Sequence, residues 1–350
     1  EKVTITEEDI EKDDDVNEDE IQSLFHALNH SQTYQKRAHR EPNTEDFISR
    51  MLTFVRYCIL HPPNNPANDT TFNSDPLKRN IRIAVLDTGS CVDDRDELVK
   101  GGEERIIQKQ NFFSTYKHAY TGTYGYGTHV VRLLLQFAPY ANIIVAKISN
   151  SKYEVAGSHK IVEALTWVSS DECNADIIVL SFWLDKTPNI QSSIKNFVES
   201  GKIMFAAASN GGGNKSRAFL ASQDGVSCIL ISDGKGNKVG INPAPWRRDN
   251  FSMLGNVIDL KWDGGEVYIN GSSLATPVAA AIASNALEFI RHNLAGESDI
   301  AKQFYTSRGM KELFRCLSDH IDGYDYVKPW KRYLWDNETH PIDIGAALNS

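Results

Sequence analysis

Ile83-Ala84-Val85-Leu86-Asp87-Thr88-Gly89 is the stretch on which the fold of this chain turns. Four apolar residues, with no polar residue alternating between them, run into an acid, a threonine and a glycine. An unbroken apolar run of this length suits a strand covered on both faces, as in a parallel sheet. The same kind of run recurs at Asn142–Ile148, Asp176–Ser181, Lys202–Ala208 and Ser227–Ile231. Helical patterns fall between the runs, at Gly127–Phe137, Ser158–Ser170 and Gln191–Ser200. In the second of these, Ile161, Val162, Leu165 and Val168 share a face. Strands alternating with helices predict an α/β fold, a doubly wound and mainly parallel sheet flanked by helices. Sites in such folds gather at the carboxyl ends of strands. Asp87 stands at one such end and Asn210 just beyond another.

Two further segments carry chemistry. Gly125-Tyr126-Gly127-Thr128-His129-Val130 presents an imidazole at a predicted helix start. Gly271-Ser272-Ser273-Leu274-Ala275-Thr276-Pro277 presents a hydroxyl behind a glycine, at the start of a helix running through Ala279–Ile290. Amides at a helix start lack partners and the helix dipole is positive there, so negative charge forming beside Ser273 is favoured. Thr276-Pro277 fits a first turn, where proline loses no needed hydrogen bond. Each segment alone has an ordinary structural reading: a turn-forming aspartate, a helix-start histidine, an N-capping serine. Together they supply an orienting carboxylate, a base and a nucleophile in the chain order Asp, His, Ser.

That order and those motifs resemble the subtilisin-like serine proteases, over roughly Ile81 to Arg291. A fourth segment, Ala206-Ala207-Ala208-Ser209-Asn210-Gly211, is similar to the family's oxyanion segment. The resemblance implies catalytic Asp87, His129 and Ser273, with the Asn210 side chain and the Ser273 amide as oxyanion donors. It also implies a substrate-binding edge at Ser181, Phe182 and Trp183, where main-chain groups pair with an extended polypeptide, and a second at Ala208 and Ser209. Finer features, His129-Val130-Val131-Arg132-Leu133-Leu134-Leu135 and Tyr268-Ile269-Asn270-Gly271-Ser272-Ser273, resemble a fungal-type intracellular branch. The chain departs from the family at Tyr126, Arg132, Trp183 and Leu220, which bears on substrate preference more than on chemistry. The chemistry needs no cofactor. Calcium is common in the family, but no convincing carboxylate loop marks a metal site here.

Composition agrees with an enzyme of this kind. The 350 residues are 41% hydrophobic, enough for a real core, and carry a net charge of −9, which argues against nucleic acid as a partner. Continuous apolar stretches reach about ten residues, short of the roughly 20 that cross a bilayer, so no membrane association is expected. The first residues are acidic, unlike a signal peptide. Five cysteines, Cys58, Cys91, Cys173, Cys228 and Cys316, form no CxxC pair. An odd, widely spaced set favours a reducing compartment and a cytoplasmic location. Oligomeric state is left open.

By domain, residues 1–20 read as an acidic disordered segment and 21–76 as a helical extension with a proline-rich linker. Residues 77–295 read as the peptidase domain, and 296–350 as a helical and aromatic tail packed on it. In the extension, Ile21, Leu24, Phe25 and Leu28 form one stripe, and Phe47, Met51, Phe54, Val55 and Cys58 another. The expected function is a serine endopeptidase acting through an acyl-enzyme. Two alternatives stand beside it: a catalytically silent interaction module, suggested by Trp183 and Arg132, and a latent protease held off by the N-terminal helices.

Overall fold

A computed structural model describes residues 42–60, 75–90, 102–114, 125–150, 155–262, 265–293 and 298–331. The acidic segment 1–20, the stripe at Ile21–Leu28, Cys91 and the tail residues Tyr333, Leu334 and Trp335 lie outside the described residues, as does the Cys58 side chain.

In chain order the elements are α1 (Pro42–Leu60), β1 (Arg82–Asp87), β2 (Ile106–Asn111), α2 (Tyr126–Phe137), β3 (Asn142–Lys147), α3 (Ser158–Ser169), β4 (Ile177–Leu180), α4 (Pro188–Glu199), β5 (Ile203–Ala207) and β6 (Ser227–Ser232). They continue with β7 (Phe251–Leu254), β8 (Asn256–Trp262), β9 (Gly265–Asn270), α5 (Ser272–Asn293), α6 (Ser298–Phe304), α7 (Ser307–Leu317), β10 (Ser318–Ile321) and β11 (Tyr324–Val327). Nine strands form one sheet in the order β10-β11-β7-β6-β5-β4-β1-β3-β2, and β8 with β9 makes a separate hairpin. Every pairing in the large sheet is parallel except β10 with β11. The chain leaves β1 for β2, returns to β3, then crosses β1 to reach β4 and grows the other way. The point where the direction reverses is β1, so crevices open past the carboxyl ends of β1 and its neighbours.

Alternate residues of each strand face opposite layers. Ile83, Val85, Ile143, Val145, Ile177, Val179 and Phe205 join one buried cluster with α1, α2 and α5. Ala84, Leu86, Ile144, Ile178, Leu180 and Met204 join the other, with α3 and α4. Both faces are therefore dry, which is why the strands read as unbroken apolar runs.

Helix α5 runs through the middle of the first layer. It is the one described helix long and apolar enough to cross a membrane by composition, and its apolar stretch is wholly buried inside the fold. Pro277 lies inside this helix rather than in its first turn. The proline removes the amide that would otherwise bond the Ser273 carbonyl one turn back.

Helix α1 packs on the same layer with Phe47, Met51, Phe54 and Val55 buried. Phe47 meets Trp330 edge-to-face at 5.2 Å. In α7, Phe314 stacks on Phe205 of β5 and meets Phe251 of β7, both at 5.4 Å.

At the amino ends of β1 and β4 lies a buried ionic cluster. Arg79 grips Asp176 with both terminal nitrogens, at 2.6 and 2.8 Å. Asp176 also accepts the Arg82 amide at 2.9 Å. Near the far end of α5, Glu288 accepts the Ile81 amide at 3.1 Å and pairs with Arg291, which donates in turn to the Arg79 carbonyl.

Candidate active site

Strand β1 delivers Asp87 to the carboxyl edge of the sheet. Its Oδ1 accepts the Thr88 amide at 2.6 Å, and the Thr88 hydroxyl accepts the Gly127 amide at 2.9 Å. A side chain at Gly127 would run into the Gly89 carbonyl. Glycine there lets the start of α2 press onto the backbone leaving β1. His129 follows two residues later, in the first turn of α2, with 2% of its surface exposed. Thr88 is thus the link between the acid segment and the imidazole segment.

Helices α2 and α5 are neighbours, joined where Asn285 Nδ2 donates to the Phe137 carbonyl at 2.6 Å. The start of α5 meets the loop after β5. Asn210 Oδ1 accepts the Ser272 amide at 2.9 Å and the Ser272 hydroxyl at 3.1 Å. An amide can only donate, so this contact assigns the oxygen of the Asn210 side chain and turns its nitrogen the other way. That nitrogen lies toward Gly271: a Cβ there would come within 2.7 Å of Asn210 Nδ2 and 3.4 Å of Ser273 Oγ. Gly271 is therefore the gap through which donor and hydroxyl approach each other. Neither Asn210 Nδ2 nor the Ser273 amide donates to any group among the described residues. Ser273 itself is 8% exposed.

Ser209 holds a strained backbone, φ 125°, a conformation rare outside glycine. Its amide donates to the Ser272 hydroxyl at 3.3 Å, and its own hydroxyl accepts the Gly211 amide at 3.3 Å. Strain here is what bends the chain so that Asn210 faces the helix start. Ala208 is buried, with its amide on Ile229 and its carbonyl on Ala218. Past β4, the Ser181 hydroxyl is buried without a hydrogen-bond partner among the described residues. Phe182 packs on the second core, and Trp183 is 63% exposed.

Electrostatics follow from burial. Desolvation raises Asp87 to about 6, opposed by its hydrogen bonds from Thr88. Desolvation, with a smaller contribution from the Arg132 charge one turn along α2, lowers His129 to about 4. A neutral imidazole is the form that accepts a proton. Among the described residues, no group of three or more His, Cys, Asp or Glu is placed to hold a metal ion.

Solved structures decide the fold. The chain superposes on a cold adapted subtilisin-like serine proteinase with a TM-score of 0.56, covering 77% of this chain and 95% of that one at 18% identity. It superposes on the prenylagaramide maturation protease PagA with a TM-score of 0.54, covering 78% and 94% at 18% identity. The fold is subtilisin-like.

Sequence relatives of the subtilisin-like type are distant. The chain is 23% identical over 192 residues to a subtilisin-like protease of Podospora anserina, 49% of this chain and 51% of that protein. It is 25% identical over 232 residues to the major intracellular serine protease of Bacillus subtilis, 61% of this chain and 69% of that protein. The match spans about half the length of the Podospora relative. No family model matches the chain. Within the subtilisin-like frame, the signal missed in the sequence was Ser272, whose amide and hydroxyl orient Asn210. It was visible only as the residue before the hydroxyl of interest. Leu220, noted as a departure, is buried in a single helical turn, Leu220–Ser222.

Proposed function

We propose that this chain is a serine endopeptidase. The observation that carries the reading is the unengaged pair of donors, Asn210 Nδ2 and the Ser273 amide, beside Ser273 Oγ at the start of a buried helix. Such a pair suits the oxygen of a tetrahedral intermediate. In this reading Ser273 Oγ attacks the scissile carbonyl while His129 takes its proton. The carbonyl oxygen becomes an oxyanion between the two donors. His129 then protonates the leaving amine, and an acyl-enzyme remains. Water, deprotonated by His129, attacks the ester and frees Ser273. Asp87 orients the imidazole and stabilises its charged form. No cofactor takes part.

The substrate is an extended polypeptide lying along Ser181, Phe182 and Trp183, with Ser209 on its other side. We take residues 77–295 as the peptidase domain, with α1 and the tail as its packing partners. The Podospora likeness favours a fungal-type branch. The Bacillus relative's name, with Cys173 and Cys228 buried outside any disulfide among the described residues, favours an intracellular setting.

A second reading is a silent binding module. It is favoured by Arg132, whose charge opposes the imidazolium that catalysis must form. One experiment separates the two. Fluorophosphonate labelling of the wild type, absent in Ser273→Ala, is expected of the enzyme. Labelling that persists in the variant, or that neither protein shows, points to the module.

A further inference from the structure

The loop that carries Asn210 also carries a cation. Lys215 folds back on Gly211, the residue after Asn210: a Cβ at Gly211 would lie 2.7 Å from Lys215 Cγ. The Gly212 amide donates to the Ile241 carbonyl at 2.9 Å, which ties this loop to the segment after β6. That segment exposes Lys238, Arg247 and Arg248. Trp246 stands beside the last two, 51% exposed, over the Arg217 guanidinium at 4.1 Å.

The charges of this rim are unbalanced. Lys215, Lys238, Arg247 and Arg248 have no side-chain partner among the described residues. The nearby acids are engaged. Asp233 is held by Asn43 at 3.0 Å, Asn237 at 2.7 Å and the Lys235 amide at 2.9 Å. Asp249 pairs with Arg315 at 2.7 Å. A chain of net charge −9 therefore carries a cation without a side-chain partner among the described residues, Lys215, on the loop of its candidate oxyanion donor, and three more on the segment tied to that loop. Clustered charge at a cleft raises the local concentration of the opposite charge and selects among partners.

We propose that this site takes acidic peptides, with Lys215 reading an Asp or Glu next to the cleaved bond and Lys238, Arg247 and Arg248 extending the attraction along the substrate. The inference rests on the serine endopeptidase reading. A polypeptide whose carbonyl oxygen reaches Asn210 Nδ2 passes its neighbouring side chains beside the loop that holds Lys215. An acidic side chain gains a partner there, and a basic one meets repulsion.

The test uses fluorogenic octapeptides that differ only in carrying Glu, Gln or Lys on both sides of the cleaved bond, with the full chain. At low salt the Glu peptide is expected to exceed the Lys peptide in kcat/KM by roughly tenfold or more, with the gap shrinking as salt screens the rim. Lys215→Glu with Arg247→Glu and Arg248→Glu reverses the order, while circular dichroism and thermal melting report that the variant is folded. In parallel, anisotropy measures binding of the fluorescein-labelled Glu peptide to Ser273→Ala, and a fluorophosphonate probe reports on Ser273.

Labelling with equal kcat/KM for the three peptides overturns the acidic preference and leaves the protease reading standing. Glu-peptide binding that charge reversal abolishes, in a chain that never labels, supports the acidic-peptide surface and removes the chemistry. Tighter binding of duplex DNA than of the Glu peptide would assign the rim to another partner and overturn the proposal.

Discussion

Loss of water displaces Asp87 and His129 in opposite directions, and the Arg132 charge adds to the fall of His129. The folded carboxyl titrates at about 6 against an ordinary 3.8, and the folded imidazole at about 4 against 6.5. The signs follow from proton linkage. For His129, the unfolded chain binds more protons between pH 4 and 6.5, so its contribution makes stability rise with pH across that window. For Asp87, the folded chain binds more protons between pH 3.8 and 6, so its contribution makes stability fall as pH rises. In the wild type the two slopes offset each other. We therefore expect His129→Gln to show a melting temperature that falls, relative to wild type, from pH 4 to 6. Asp87→Asn is expected to show one that rises. Thermal melts of the three proteins across this range check the pair of signs; parallel curves would mean that the two groups are not buried as described.

Among elements, the junction of β1 with α2 is one where backbone approaches backbone closely. Gly127 lies on the Gly89 backbone, with the Thr88 hydroxyl accepting its amide. Gly127→Ala adds one methyl group where backbone stands, and backbone cannot rotate away as a side chain can. The expected result is a loss of activity well beyond the loss of stability, because the displaced unit is the turn that carries His129. Overpacking of this kind costs about 1–3 kcal/mol. Urea unfolding gives that figure, and peptide hydrolysis gives the loss of rate.

Much of this scale was legible in the residues. The strands β1, β3, β4, β5 and β6 each hold an unbroken apolar run of four or more residues because both faces are covered, and the helices between them kept their stripes. The edges were not legible. Strand β2 reads Ile-Ile-Gln-Lys-Gln-Asn, and its polar middle hides it from a search for buried runs. Strand β7, inside the sheet, was missed as well: Ser252 interrupts its four residues, whereas the four of β4 are all apolar. The hairpin of β10 and β11 turns on Asp322-Gly323, both at positive φ, 52° and 85°. Aspartate followed by glycine between Ile321 and Tyr324 is a strong hairpin signal that a helical reading of the tail passed over. At the site, Asp87, His129, Ser273 and Asn210 stood out by motif. The hold of Ser272 on Asn210 joins residues 62 apart in sequence and leaves no local trace.

On the scale of the molecule, the cluster at the amino ends of β1 and β4 holds the base of the sheet. Arg79 and Asp176 are both buried, and their bidentate pair satisfies the Arg82 amide as well. Asp176→Asn strips the charge and leaves a buried guanidinium without its counterion. Breaking such a pair from one side costs about 3–5 kcal/mol. Chemical denaturation should show a loss of that order, and Arg79→Met with Asp176→Leu should recover part of it, since the orphaned charge is then gone.

The 22 residues of α5 make a rod about 33 Å long. One tip bears Ser273; Glu288 and Arg291 near the other are clamped to the chain just ahead of β1. A rod gripped at its butt transmits torque. In the proposed peptidase, loosening that grip, as Glu288→Ala would, shifts the hydroxyl at the far tip, and peptide hydrolysis falls although no residue of the cleft has changed.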